Sequence, residues 1–247
     1  MPNHIFKLLS FLALLFLSSP HLSAIAISPL KPIVRASAGE RTFGQTIVTN
    51  DKAVPVTVEV ELAPSRRTRV PVERWLRLKK NVLHLEAKQS KALDFEVNLP
   101  KDAQGEFYAK INYTEKVPGQ VGLSINLVIS TPIFVSAKGS EVYQLDMTDY
   151  GKVDPSHQTY SILFRNQGNV HLRPHGVCNI ISVKTEELLE TVVIGSPEDT
   201  LYPGKSKTQR LNLERPLPPG KYLAAFELSL FKNHPASEKK RFEFVVE

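Results

Sequence analysis

The sequence predicts an all-β protein: two immunoglobulin-like β-sandwich domains behind an N-terminal export signal. Three observations predict it. Apolar residues alternate with period two over segments of strand length, no comparable helical stripe occurs, and the same strand spacing appears twice along the chain. The 247 residues are 42% hydrophobic and 23% charged, a balance that fits a soluble, core-forming chain and excludes disorder or a polytopic membrane protein. Eighteen Pro and twelve Gly punctuate the apolar runs and supply the turns.

The signal comes first. Lys7 precedes the apolar run Leu8–Leu17, which Ser18-Ser19-Pro20 breaks before a small-residue site at Ala24-Ile25-Ala26. Residues 1–26 are therefore expected to be a signal peptide. The run is too short to cross about 30 Å of hydrocarbon comfortably. No later stretch approaches about 18 uninterrupted apolar residues, so no transmembrane segment is expected in the mature chain. The net charge of +6 is spread thinly, which argues against nucleic acid as a partner. The densest basic patches are Arg66-Arg67-Thr68-Arg69 with Arg74, Arg77, Lys79 and Lys80, and Lys239-Lys240-Arg241. They read as solvated loops, with an anionic envelope surface as the alternative. Cys178 is the single cysteine, so no intrachain disulfide can form and a buried thiol is expected.

The strands follow in two sets. The first domain, 27–137, contains Ile27–Val34, Gln45–Thr49, Val54–Leu62, Val82–Leu85, Leu93–Leu99, Phe107–Tyr113 and Leu123–Phe134. Val54–Leu62 alternates Val/Leu with Pro, Thr and Glu, the pattern of a half-buried antiparallel strand. The second domain, 138–247, begins after Ala137-Lys138-Gly139-Ser140. It contains Glu141–Met147, Gln158–Arg165, Cys178–Val183, Leu189–Val193, Lys207–Leu213, Tyr222–Phe231 and Arg241–Val246. In both sets a Pro, then a Gly, then an aromatic opens a late strand: Pro100, Gly105 and Phe107 in the first, Pro219, Gly220 and Tyr222 in the second.

Several short motifs in the first set then acquire a common meaning. Ile27-Ser28-Pro29-Leu30, Ala38-Gly39-Glu40, Ile47-Val48-Thr49-Asn50, Leu99-Pro100 and Gly105-Glu106-Phe107-Tyr108 together resemble the first domain of the PapD-like periplasmic pilus-assembly chaperones. The resemblance covers most of 27–136. In the second domain it extends to strand spacing, Asn166-Gln167-Gly168-Asn169 and the Pro-Pro-Gly turn. It implies a periplasmic location and a binding function without catalysis. It also implies a pilin or other exported subunit as partner, and an outer-membrane usher as a candidate second partner.

Such chaperones lend the last strand of the first domain to an incomplete subunit fold. Leu123, Ile125, Leu127 and Ile129 stand at i, i+2, i+4 and i+6, so they project from one face of an extended strand. Each is worth about 1.5–3 kcal/mol if buried. The same pattern fits an inner strand facing its own core, and the sequence leaves both readings open. Family members also grip the subunit's terminal carboxylate with an Arg and a Lys, positions that fall here at Val34 and near Pro132, neither of them basic. Lys31 and Arg35 are the candidates for a displaced anion contact, with ordinary surface charges as the other reading.

Competing chemistry is thin. His171, His175 and Cys178 form H-x3-H-x2-C, ligand types that zinc or copper accepts, but Pro174 and Gly176 interrupt the segment and no fourth ligand is evident. A loop with an incidental thiol is the preferred reading, and no cofactor is expected. Asp146, Asp149 and Asp154 lack the ligand count and closing Glu of a calcium loop. There is no G-x-S-x-G elbow, H-E-x-x-H helix or Gly-rich phosphate loop. Trp75, the only tryptophan, is expected in the core, between Val72, Leu76 and Leu78. The sequence therefore points to an exported chaperone or adaptor acting by strand addition. The alternatives are a structural or adhesive envelope module and a metal-binding protein.

Overall fold

Alternation in the sequence becomes alternation of burial in space. In the computed structural model, which describes residues 25–65, 72–116, 127–154, 159–231 and 233–247, sixteen strands and one short 3₁₀ turn account for the regular structure. Val56, Val58 and Val60 of β4 (Val56–Pro64) are buried, while Glu59 and Glu61 point outward. No described helix is long and apolar enough to cross a membrane.

The first sandwich packs two sheets around one core. One sheet has the order β1-β3-β7-β5, from β1 (Ile25–Ser28), β3 (Arg41–Asn50), β7 (Ser90–Asn98) and β5 (Leu76–Leu78). The other has the order β2-β9-β8-β4-β6, from β2 (Ile33–Ala36), β9 (Val128–Ala137), β8 (Glu106–Lys116), β4 and β6 (Val82–Leu85). Val48, Phe95, Val97, Ile111, Tyr113 and Ile133 fill the space between them. Trp75 packs half-buried on this core, edge-on to Phe107 with centroids 4.9 Å apart.

The second sandwich repeats the arrangement. Its sheets are β10-β11-β14, from β10 (Leu145–Asp154), β11 (Thr159–Asn166) and β14 (Ser206–Asn212), and β13-β12-β15-β16, from β12 (His175–Ser182), β13 (Leu188–Gly195), β15 (Gly220–Ser229) and β16 (Ser237–Val246). Met147, Ile162, Leu172, Cys178, Ile180 and Phe226 lie in a separate core.

Two differences between the expected strands and the fold trace to proline and to short length, whereas the strand expected over Glu141–Met147 runs Leu145–Asp154 instead. The single strand expected over Ile27–Val34 is two. Pro29 and Pro32 interrupt the ladder, and the chain crosses from β1, paired with β3, to β2, which runs parallel to β9 in the opposite sheet. Ile25 and Ala26, placed by sequence in the export signal, lie in β1. Ile25 pairs with Asn50 and is 3% exposed. β5 is only three residues long and follows a basic stretch, so it leaves no periodic signal.

The duplication is sharper in hydrogen bonds than in sequence. Asn50 ends β3 and Asn166 ends β11, both fully buried. Each Oδ1 accepts the backbone N–H two residues on, from Lys52 and Gly168, at 2.9 Å. Each Nδ2 donates to the carbonyl four residues on, Val54 and Val170, at 2.8 Å. Each Nδ2 also reaches the carbonyl 35 residues on, Leu85 at 3.4 Å and Leu201 at 2.9 Å. One side chain thus ties the end of a strand, its turn and a distant loop in each domain.

Candidate subunit-binding edge and interdomain cleft

The site is built on β9, because only half of that strand has two neighbours. β8 pairs with it from Val128 to Ser136. On the other side β2 covers Phe134–Ala137 alone, and Pro32 accepts the Phe134 N–H at 3.0 Å. From Val128 to Ile133 no described strand pairs with the outer edge. The N–H groups of Phe134 and Lys138 point toward β2, to Pro32 and Ala36, whereas the Leu127 carbonyl accepts from Glu115 on β8. Even-numbered residues therefore turn their backbone groups to the open edge. Val128 and Ser130 offer a donor and an acceptor there, and Pro132 offers an acceptor only.

Side chains follow the same parity. Ile129, Thr131, Ile133 and Val135 face the first core, and Ile129 is half-buried against it. Leu127 lies just past the core and is 46% exposed. Leu123 and Ile125 lie outside the described residues, as do Arg66, Arg67 and Arg69. Phe134 and Tyr108 face the second domain, where Phe134 lies 4.2 Å from His171 and Tyr108 lies edge-on to Tyr202 at 5.2 Å, between centroids. Below them a cleft of about 220 Å³ is lined by Ser65, Tyr108, Lys110, Ser130, Pro132 and Tyr202.

Lys110 is the residue sequence reasoning missed. It is directly opposite Pro132 in the β8–β9 register and exposed, so it brings a cation to the place where the last strand has none. Only the pairing of two strands reveals it; an offset counted along one strand cannot. Lys31 donates to the Glu198 carbonyl at 2.7 Å, and Arg35 donates to the Tyr143 hydroxyl and lies 3.5 Å from Glu141. Both cations thus bridge the two domains, while Val34 is buried in the first core.

A buried polar seam holds the cleft in shape. Glu106, the first residue of β8, accepts the His171 backbone N–H at 3.0 Å and the His171 Nδ1–H at 2.6 and 2.8 Å. It also accepts the Ser136 hydroxyl at 3.2 Å. Asn169 accepts the Glu106 N–H through its backbone carbonyl, and Ser140 accepts the Gly105 N–H at 2.9 Å. Gly105 sits at φ 73°, and a Cβ there would come within 2.8 Å of the Asn169 side chain, so the seam needs glycine twice over.

The three residues considered as metal ligands are dispersed. His171 is committed to Glu106, and the His175 Nδ1–H donates to the Arg173 carbonyl at 2.8 Å. Cys178 is sealed in the second core. Among the described residues no group of three or more His, Cys, Asp or Glu could hold a metal ion. Burial pushes the Cys178 thiol up to about 12. We expect no reaction with a thiol-specific disulfide reagent at pH 8 in the native protein, and full labelling in urea, read by absorbance. Rapid native labelling would contradict this burial.

No protein-family model and no curated protein matches the sequence. Solved structures do match. The YadV chaperone aligns with TM-score 0.53 at 11% identity, over 89% of this chain and 99% of its own. The class 5 fimbriae chaperone CfaA aligns with TM-score 0.50 at 15% identity, over 88% and 98%. A Salmonella enterica SafA pilin–SafB chaperone complex gives TM-score 0.49 at 13% identity, over 91% and 97%. Two packed sandwiches, aligned along nearly the whole chain, give this protein the fold of the PapD-like periplasmic pilus chaperones.

Proposed function

We propose that the protein is an exported periplasmic chaperone that holds a pilin or similar surface subunit by β-strand addition to β9. The observation that carries this reading is the open edge from Val128 to Pro132, flanked by exposed Leu127 and opening beside the interdomain cleft. Unpaired edges of this kind are aggregation hazards unless something covers them. Backbone bonds from Val128 and Ser130 would hold the visiting strand, and Leu123, Ile125 and Leu127 would supply apolar contacts to its fold, Ile129 being turned to the protein's own core.

The cleft adds polarity to the proposal. A strand running parallel to β9 would bring its carboxyl end to Pro132, where no N–H meets its last carbonyl and Lys110 stands opposite. A terminal carboxylate suits that position, with Lys31 and Arg35 further along the junction. Release to an outer-membrane usher completes the proposed cycle. A signal cut after Ala24 instead of Ala26 would keep Ile25 in β1.

The test is recovery of the subunit from the envelope fraction of the native cell by tagged protein. Ser130→Pro removes an edge N–H without touching the β8 ladder, and Leu127→Asp charges an exposed position. We expect each to cut recovery more than tenfold, with circular dichroism and thermal midpoint unchanged. Equal recovery by both variants would defeat the proposal, and so would their unfolding, which would mark the edge as internal.

A further inference from the structure

We infer that the Nε–Nη2 edge of Arg173 is a binding position for a carboxylate. Arg173 precedes β12 on the second domain and is 8% exposed. Its backbone is fixed, with the N–H donating to the Leu230 carbonyl at 2.7 Å and the carbonyl accepting from His175. Its guanidinium lies over the Phe231 ring at 5.4 Å. Nε and Nη2 are both buried and have no hydrogen-bond partner among the described residues.

Three features make this a ligand position rather than an incidental burial. A guanidinium stays charged at any working pH, so it cannot relieve burial by losing a proton. The aromatic ring offsets only part of that cost. No described carboxylate pairs with Arg173, and Glu106, the acid bonded to His171, is filled by His171 and Ser136. Finally, the two unpartnered nitrogens are adjacent and parallel, the edge that binds both oxygens of a planar carboxylate at once. His171, whose Nε2 is also buried without a partner among the described residues, lies against the same Phe231 ring with centroids 4.9 Å apart. The carboxylate comes either from a small free anion or from an acidic side chain of a bound protein. This inference does not depend on strand addition at β9.

The experiment is a thermal-denaturation titration of the purified chain with sodium acetate against sodium chloride at matched ionic strength. We expect acetate alone to raise the midpoint saturably, by about 2–4 °C. Arg173→Lys keeps the charge but loses the fork and abolishes the rise. Arg173→Met abolishes it too, and its acetate-free midpoint equals or exceeds that of the native chain, because the unpaired charge is gone. A second titration with doubly capped glutamate separates the sources. A response as large as acetate's assigns an acidic side chain, and a response to acetate alone assigns a free anion. No difference between acetate and chloride, as an ordered water in the position would give, overturns the inference. A rise retained by Arg173→Met does the same.

Discussion

Replacing Asn166 with Ala destabilises the second domain by about 3–4 kcal/mol, because two buried carbonyls and a part-buried turn N–H lose its side chain together. Those groups are the carbonyls of Val170 and Leu201, the second of which keeps the Leu172 N–H at 2.9 Å, and the N–H of Gly168. Each unsatisfied buried group costs about 1–3 kcal/mol, and no water replaces a fully enclosed amide at full value. Asn50→Ala removes the matching set in the first domain. Its bonds to Val54 and Glu86 are only part-buried, and its bond to Leu85 is long at 3.4 Å. The loss there is smaller, about 2 kcal/mol. Urea denaturation followed by circular dichroism gives both values, and Trp75 fluorescence reports the first domain separately because it is the only tryptophan. An Asn50 variant weaker than the Asn166 variant would mean that burial of these bonds does not set their worth.

The same two asparagines show how far the sequence could be read. Asn50 and Asn166 stand inside two motifs that resemble the chaperone family, yet their equivalence depends on bonds 35 residues away, which no local pattern encodes. The sandwiches themselves are legible because alternation of Val and Leu with polar residues has one physical cause, a sheet with a wet face and a dry face. The split of the first strand is legible only in part. Pro29 and Pro32 announce a break, but not that the chain changes sheets there.

The candidate site is less legible still. The stripe ending at Ile129 is visible in the sequence, but a strand's face does not say whose core it meets. In the fold, Ile129 meets its own, while Leu127 projects beyond it. Lys110 belongs to the neighbouring strand and becomes relevant only through the register that sets it opposite Pro132. Glu106 and His171, 65 residues apart, carry ordinary-looking side chains whose burial together could not be inferred from either neighbourhood.

That pair leads to the largest expected effect. Glu106→Ala leaves the His171 backbone N–H, the His171 Nδ1–H and the Ser136 hydroxyl facing an apolar gap beside Phe134. Breaking one side of a buried charge-assisted pair costs about 3–5 kcal/mol. The loss falls on the seam, so the two domains uncouple. Circular dichroism and Trp75 fluorescence, expected to report one urea transition in the native protein, then report two. Glu106→Leu combined with His171→Leu discriminates between two accounts of that loss. If the cost comes from stranded polar groups, the double variant recovers only the share that falls on the imidazole, because that ring is replaced together with its carboxylate while the His171 backbone N–H and the Ser136 hydroxyl still lack theirs. Its subunit recovery nevertheless falls, because a greasy seam fixes the cleft less firmly than three directed hydrogen bonds on one carboxylate. Stability in the double variant no higher than in Glu106→Ala would show instead that the seam's contribution lies in the pair's own attraction.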